Sequence, residues 1–173
     1  MRRTLFAHLI ILGVLALCTT VAPAIAQDGC GKFAWPLLRE QALFTSSAKV
    51  AVKANDKLAS LPTAAFSLNL QPGKEASFAM PPERKPRIEK WFGGIVRLPA
   101  PDKTGIYQVT LSDEAWVDVV QDGRYARSVG STGRGDCPGV RKSVRFELSA
   151  TPFVLQLSGT GVDVIAVAIG VVP

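Results

Sequence analysis

The sequence predicts a mainly β domain: an antiparallel β-sandwich or jelly roll of about eight to nine strands with a short N-terminal helix. Three features carry that expectation. From Ala64 onward, apolar and polar residues alternate in short runs, the period of a strand whose two faces meet different surroundings. Turn-forming residues break these runs at intervals of roughly 8–12 residues. No stretch after Pro62 carries the apolar spacing of three to four that a long helix requires.

Each element follows from its residues. Pro36 after Trp35 suits a first helical turn. Leu37, Leu38, Gln41, Ala42 and Phe44 then recur at near-helical spacing, so a short helix is expected against the outside or one end of the domain. Residues 46–62 are polar and read two ways, because "KVAVKA" alternates like a strand and can also continue a helix. "AAFSLNLQPG" puts Phe66, Leu68 and Leu70 on one face and stops at Pro72-Gly73. "EASFAM" is a short run ending at Pro81-Pro82, and "PPERKPRIEK" is a charged, proline-rich loop. "WFGGIVRLPAP" is a strand in which Gly93-Gly94 marks a bulge. "GIYQVTLS" sets Tyr107, Val109 and Leu111 against Ile106, Gln108 and Thr110. "AWVDVVQDG" ends in an Asp-Gly turn, from which "RYARSVG" returns as a hairpin. "KSVRFELS" turns Val144, Phe146 and Leu148 inward, and "PFVLQLSG" repeats this with Phe153, Leu155 and Leu157. "VDVIAVAIGVV" is almost continuously apolar, as a strand buried on both faces would be. No internal repeat or low-complexity segment is visible.

The N-terminus reads as a secretory signal peptide. Arg2 and Arg3 precede an apolar run from Leu5 to Leu17, and "AIA" ending at Ala26 offers the small residues a signal peptidase requires. The run of about 13 residues is short of the roughly 20 that span a bilayer, so the chain is expected not to be membrane-spanning. The expected organisation is a signal peptide over 1–26, a helical or irregular segment over 27–62 packed on the sandwich, and the sandwich itself over 63–173. Cleavage near Ala26 leaves a periplasmic or secreted chain of 147 residues, enough for one domain with a sizeable core.

Cleavage removes two arginines and leaves 18 Lys+Arg against 14 Asp+Glu, lowering the net charge from +6 to +4. No run of like charge is long enough to predict nucleic-acid binding. The surplus permits weak attraction to anionic envelope polymers or lipid headgroups, and more often marks only a solvated surface. Two cysteines remain, Cys30 and Cys137, in a compartment that favours disulfides, so they are expected to pair. The only histidine, His8, lies in the signal peptide. The mature chain therefore has no Ser-His-Asp or Cys-His catalysis, no His-ligated zinc and no 2-His-1-carboxylate iron site.

"GIYQVTLSDEAWVDVVQDG", then "GVRKSVRFELSATPFVLQLSG" and the closing apolar strand resemble the bacterial pre-peptidase C-terminal type of β-sandwich. In that family a "G-x-Y-x-V-x-L" strand precedes one of the "a-x-V-D-V" kind. The resemblance covers Gly105 to about Val172, and the whole chain also resembles small exported bacterial proteins of unknown function. It implies an accessory module of the kind found beside secreted hydrolases, and no enzyme.

Several residues are candidates for chemistry. "RGD" at Arg134–Asp136 has the form of an adhesion triplet, or of a turn capped by Asp136. Arg141, Lys142 and Arg145, with Arg127 and Arg134, form the most basic part of the chain, and Arg134, Arg141 and Arg145 can bind an anion beside the glycine-rich loop. The competing reading is a charged outer strand face. Asp113 and Glu114, in a turn, are candidates for calcium, although no D-x-D-x-D-G spacing is present. Asp113, Glu114 and Asp118 are also the candidates for a carboxylate-dependent hydrolase or lyase acting on envelope polysaccharide. Trp35, Trp91, Trp116, Tyr107 and Tyr125 can stack on sugar rings or fill a core. Trp116 is expected in the core, and Trp91, after the basic loop, at the surface. The expected function is a non-enzymatic binding or accessory protein of the periplasm. Its partner would be an envelope protein, a polysaccharide or an anionic ligand.

Overall fold

The structure, a computed structural model, describes residues 29–47 and 49–172. The expected signal peptide and its cleavage site lie outside these residues. A 3-10 turn at Gly29–Lys32 and helix α1 at Leu38–Thr45 come first. Four strands follow up to the middle of the chain: β1 (Val50–Lys53), β2 (Phe66–Asn69), β3 (Gln71–Pro72) and β4 (Phe92–Leu98). Then come β5 (Gly105–Leu111), β6 (Trp116–Gln121), β7 (Arg124–Tyr125) and β8 (Ser128–Gly133). The last are β9 (Lys142–Leu148), β10 (Phe153–Thr160) and β11 (Val164–Val171).

The strands make two sheets, ordered β1–β2–β11–β5–β9–β8 and β3–β4–β10–β6–β7. The mainly β fold with an N-terminal helix is therefore as expected. All pairings are antiparallel except β1 with β2. The ambiguous "KVAVKA" resolves as strand, and β1 joins the edge of the six-stranded sheet. β10 and β11, the last strands in sequence, are interior strands of their sheets.

One apolar cluster is shared by both sheets, and period-two alternation selects its members. Phe66, Val109, Leu111, Val144, Phe146 and Ile165 come from the six-stranded sheet. Val96, Leu98, Val117, Val119, Leu155 and Leu157 come from the other. A second, smaller cluster lies on the outer face of the six-stranded sheet. There β11 presents Ala166 and Ala168, whose small side chains let the α1 segment approach and bury Leu37 and Phe44. This accounts for the near-continuous apolar character of β11. The same cluster holds the expected disulfide between Cys30 and Cys137, with Cα atoms 4.6 Å apart.

The chain between β6 and β9 departs from expectation. Asp122 and Gly123, with φ of 52° and 73°, form the expected two-residue turn to β7. The chain then leaves that sheet, and Ser128–Gly133 pairs with β9 at the edge of the other. The start of the glycine-rich stretch is thus a strand, and its loop begins at Arg134. Glycine and serine residues gave it no apolar alternation to read. "EASFAM" is irregular rather than extended, because Gln71–Pro72 is already the end of β3 and the prolines that follow supply no ladder N–H.

Candidate functional site

The three arginines expected to bind an anion are engaged by different groups. Arg134 donates from Nε and Nη2 to the two carboxylate oxygens of Asp136, both at 2.9 Å. The outer residues of the "RGD" triplet are therefore tied to each other, and the main-chain carbonyl of Asp136 accepts the Gly29 N–H. Arg141 Nε lies 3.1 Å from Glu114 Oε2. Arg145 Nε donates to Gln108 Oε1 at 3.0 Å, and its guanidinium sits 4.1 Å from the Trp35 ring centroid.

Glu114 meets Lys142 as well as Arg141, so two cations already offset the carboxylate proposed for calcium. Asp113 accepts a hydrogen bond from Ser112 Oγ at 2.7 Å. Among the described residues, no three His, Cys, Asp or Glu side chains gather in a way that could hold a metal ion.

A different site lies on the outer face of the five-stranded sheet. Residues 73–91, between β3 and β4, form a strap across it. Gln156, 1% exposed, anchors the strap. Its Oε1 accepts the Ala79 and Met80 N–H groups at 2.7 and 3.0 Å, and its Nε2 donates to the Met80 carbonyl at 3.1 Å. One position across on β6, Asp118 Oδ2 accepts the Glu83 N–H at 3.3 Å, and Tyr125 donates its hydroxyl to the Pro81 carbonyl. Polar strand residues are thus consumed by a segment that has no sheet of its own. Burial pushes the Asp118 carboxyl above the ordinary carboxylate range, and its hydrogen bonds pull it partly back. Glu83 is raised too, by desolvation first and then by the charge of Asp118.

The strap leaves a cleft of about 300 Å³ at one end of β6. Strap residues 84–88 form one wall, and Trp116, Lys142, Ser158 and Gly159 form the other. Trp116 is half-buried on this outer face, not in the core as expected. The parity of β6 explains the difference, since Val117 and Val119 point inward. The guanidinium of Arg84 lies 4.3 Å from the Trp116 ring centroid, and Lys142 Nζ lies 5.2 Å from it. Lys142 reaches over from the six-stranded sheet and donates to the Ala115 carbonyl at 2.8 Å. Desolvation holds its ammonium below the usual lysine range; Glu114 opposes that shift, while Arg84 and Arg141 add to it. Trp91, expected at the surface, is half-buried and stacks on Phe78 with ring centroids 6.2 Å apart.

A bulge shapes the cleft. The β10–β4 register passes from Leu157–Gly94 to Thr160–Phe92, so Ser158 and Gly159 together face the single residue Gly93. The extra residue therefore belongs to β10, opposite the glycines that marked the bulge in the sequence. Gly159 takes a φ of +71° and packs against Pro86 of the strap. Ser158, 2% exposed, is left with an Oγ that has no hydrogen-bond partner.

Sequence reasoning identified neither Arg84, Lys142 and Ser158 as one site nor the strap that assembles it. The available signals were the parity of β6 and the charged, proline-rich loop. No protein-family model, curated protein or solved structure matches the chain.

Proposed function

We propose that the protein is an exported, non-enzymatic binding module of the bacterial envelope. It would be a β-sandwich of the pre-peptidase C-terminal kind that holds its ligand in the cleft beside Trp116. The observation that carries this reading is the placement of the carboxylates proposed for catalysis. Asp118 is 2% exposed beneath the strap, Glu114 is paired with two cations, and Asp113 is engaged by its neighbour's hydroxyl. A glycosidase needs two free carboxyls across an open sugar site. The same face offers instead a compact cationic cleft with an aromatic wall.

Export is supported by the signal-like N-terminus and by the Cys30–Cys137 disulfide. Among the described residues, no helix is long and apolar enough to cross a membrane. The test expresses the full chain in a bacterial host, fractionates the cells and measures the mass of the product. The expected result is an oxidised protein beginning at Gln27 outside the cytoplasm, with no release of sugar from envelope polysaccharide. Turnover of such a polymer, or retention of a full-length reduced chain in the cytoplasm, would overturn the reading.

A further inference from the structure

We propose that the cleft between the strap and Trp116 binds a phosphoryl group, held by Arg84 and Lys142 and hydrogen-bonded by Ser158 Oγ. This deepens the binding-module reading and rests on it.

Charge is the first argument. The cleft is lined by four cations, Arg84, Lys85, Arg87 and Lys142, against one carboxylate, Glu114. Glu114 is itself shared with Arg141. Among the described residues, Arg84, Lys85 and Arg87 have no carboxylate in ion-pair contact. A dianion compensates this excess better than a singly charged carboxylate does. The same excess disfavours cations and offers a neutral sugar no charge to pair with.

The Ser158 hydroxyl is unpartnered. A buried oxygen without a partner costs the fold a few kcal/mol at most, so it persists only where neighbouring structure enforces it. The bulge does so here by setting Ser158 on the wall of the cleft with Gly159 against Pro86. A hydroxyl can donate to a phosphoryl oxygen as readily as it can accept from a phosphate O–H.

The donors are also preorganised. Arg84 and Lys142 come from the strap and from β9, and both are held against the Trp116 ring. The Trp116 N–H is fixed by Asp118 Oδ1 at 2.6 Å. Ser158 comes from β10, so donors arrive from three elements, which suits the several oxygens of a tetrahedral anion. An arriving negative charge favours the charged form of the desolvated Lys142 ammonium. A volume of about 300 Å³ is at the small end for ligand pockets and accommodates a phosphoryl group with a small substituent.

The test is calorimetric titration of the purified protein with inorganic phosphate, glycerol 3-phosphate and acetate at low ionic strength. Phosphate and glycerol 3-phosphate are expected to bind once per chain, and acetate at least about tenfold more weakly. Arg84→Gln and Ser158→Ala are each expected to lower phosphate affinity about tenfold. Ser158→Ala should do so with an unchanged or higher melting temperature, because it removes an unpaired buried oxygen. Sedimentation with phosphatidic acid vesicles, against plain phosphatidylcholine, separates a lipid headgroup from a soluble phosphate. No phosphate binding, equal acetate binding, or full phosphate affinity in both variants would overturn the proposal. If Ser158→Ala does not fold, Arg84→Gln alone decides. An envelope ligand bound equally by the wild type and Arg84→Gln would overturn the phosphoryl inference and leave the binding module standing. Polysaccharide turnover would overturn the module reading, whatever the titration shows.

Discussion

Asp118 and Trp116 stand two residues apart on the same outer face of β6, and the carboxylate Oδ1 accepts the indole N–H at 2.6 Å. This bond joins the two halves of the site. The other carboxylate oxygen, Oδ2, accepts the strap's Glu83 N–H, while the indole ring carries Arg84 and Lys142 on its surface. Anything that changes the charge of Asp118 should therefore be felt at both.

The pH dependence follows from that. Asp118 and Glu83 are both raised above the ordinary carboxylate range, each chiefly by desolvation. A carboxyl whose pKa is raised in the folded state favours folding in its protonated form. Its contribution is fully present below about pH 4 and is lost as pH rises through the raised value. Strap closure is thus expected to be tightest in mild acid. Asp118→Asn should flatten this dependence, measured as unfolding free energy by urea titration from about pH 4 to pH 7. An unaltered slope would show that Asp118 is not the responsible group.

Gln156 makes three hydrogen bonds to the strap and has no substitute there. Gln156→Ala should cost about 2–3 kcal/mol, since two strap N–H groups and one carbonyl lose their partner. The local signature is faster tryptic cleavage after Arg84, Arg87 or Lys90, with the sheets remaining resistant. Wild-type cleavage kinetics in the variant would mean that the strap is held elsewhere.

The bulge is sensitive to added methyl groups on both sides. Gly159→Ala meets Pro86 only at ordinary contact, 3.5 Å, so its cost of about 1–2 kcal/mol comes from the positive φ. Gly93→Ala would bring Cβ to 2.8 Å from the Leu157 carbonyl oxygen, an immovable ladder acceptor, and should cost more. Chemical denaturation of the two variants tests that ranking.

The disulfide closes a loop of 107 residues, for which loop-closure entropy gives about 4–5 kcal/mol. Cys137→Ser should lower the melting temperature and leave Cys30 open to alkylation. Loss of the bond should also loosen Leu37 and Phe44, which share its apolar cluster. A native protein with two free thiols would contradict the structure.

Much of this architecture was legible in the sequence where burial is one-sided. "KSVRFELS" and "PFVLQLSG" name their core residues by alternation alone, and Val144, Phe146, Leu148, Phe153, Leu155 and Leu157 are all buried. The same rule, applied to Val117 and Val119, would have turned Trp116 outward. The site was less legible because its parts meet only through tertiary structure. Arg141 finds Glu114, and Lys142 finds Trp116, across a gap of more than twenty residues. The strap's charges and prolines marked it only as a loop, because a segment bonded through main-chain groups to Gln156 and Asp118 needs no periodicity. β8 was hidden for the opposite reason, as an exposed edge strand of Ser, Gly and Thr with little to bury.

The interior position of β10 and β11 has a consequence for how the protein comes into being. Until residues 153–171 have been synthesised, β4 and β6 lack the strand that lies between them, and so do β2 and β5. A nascent chain therefore holds fragments of two sheets that cannot be joined, and the contacts that join them are among the most distant in sequence. Such pairings form slowly, because each must first close a long loop. A chain that has not yet added β10 and β11 therefore holds neither sheet whole. Both sheets are continuous only once β10 and β11 have taken their interior places.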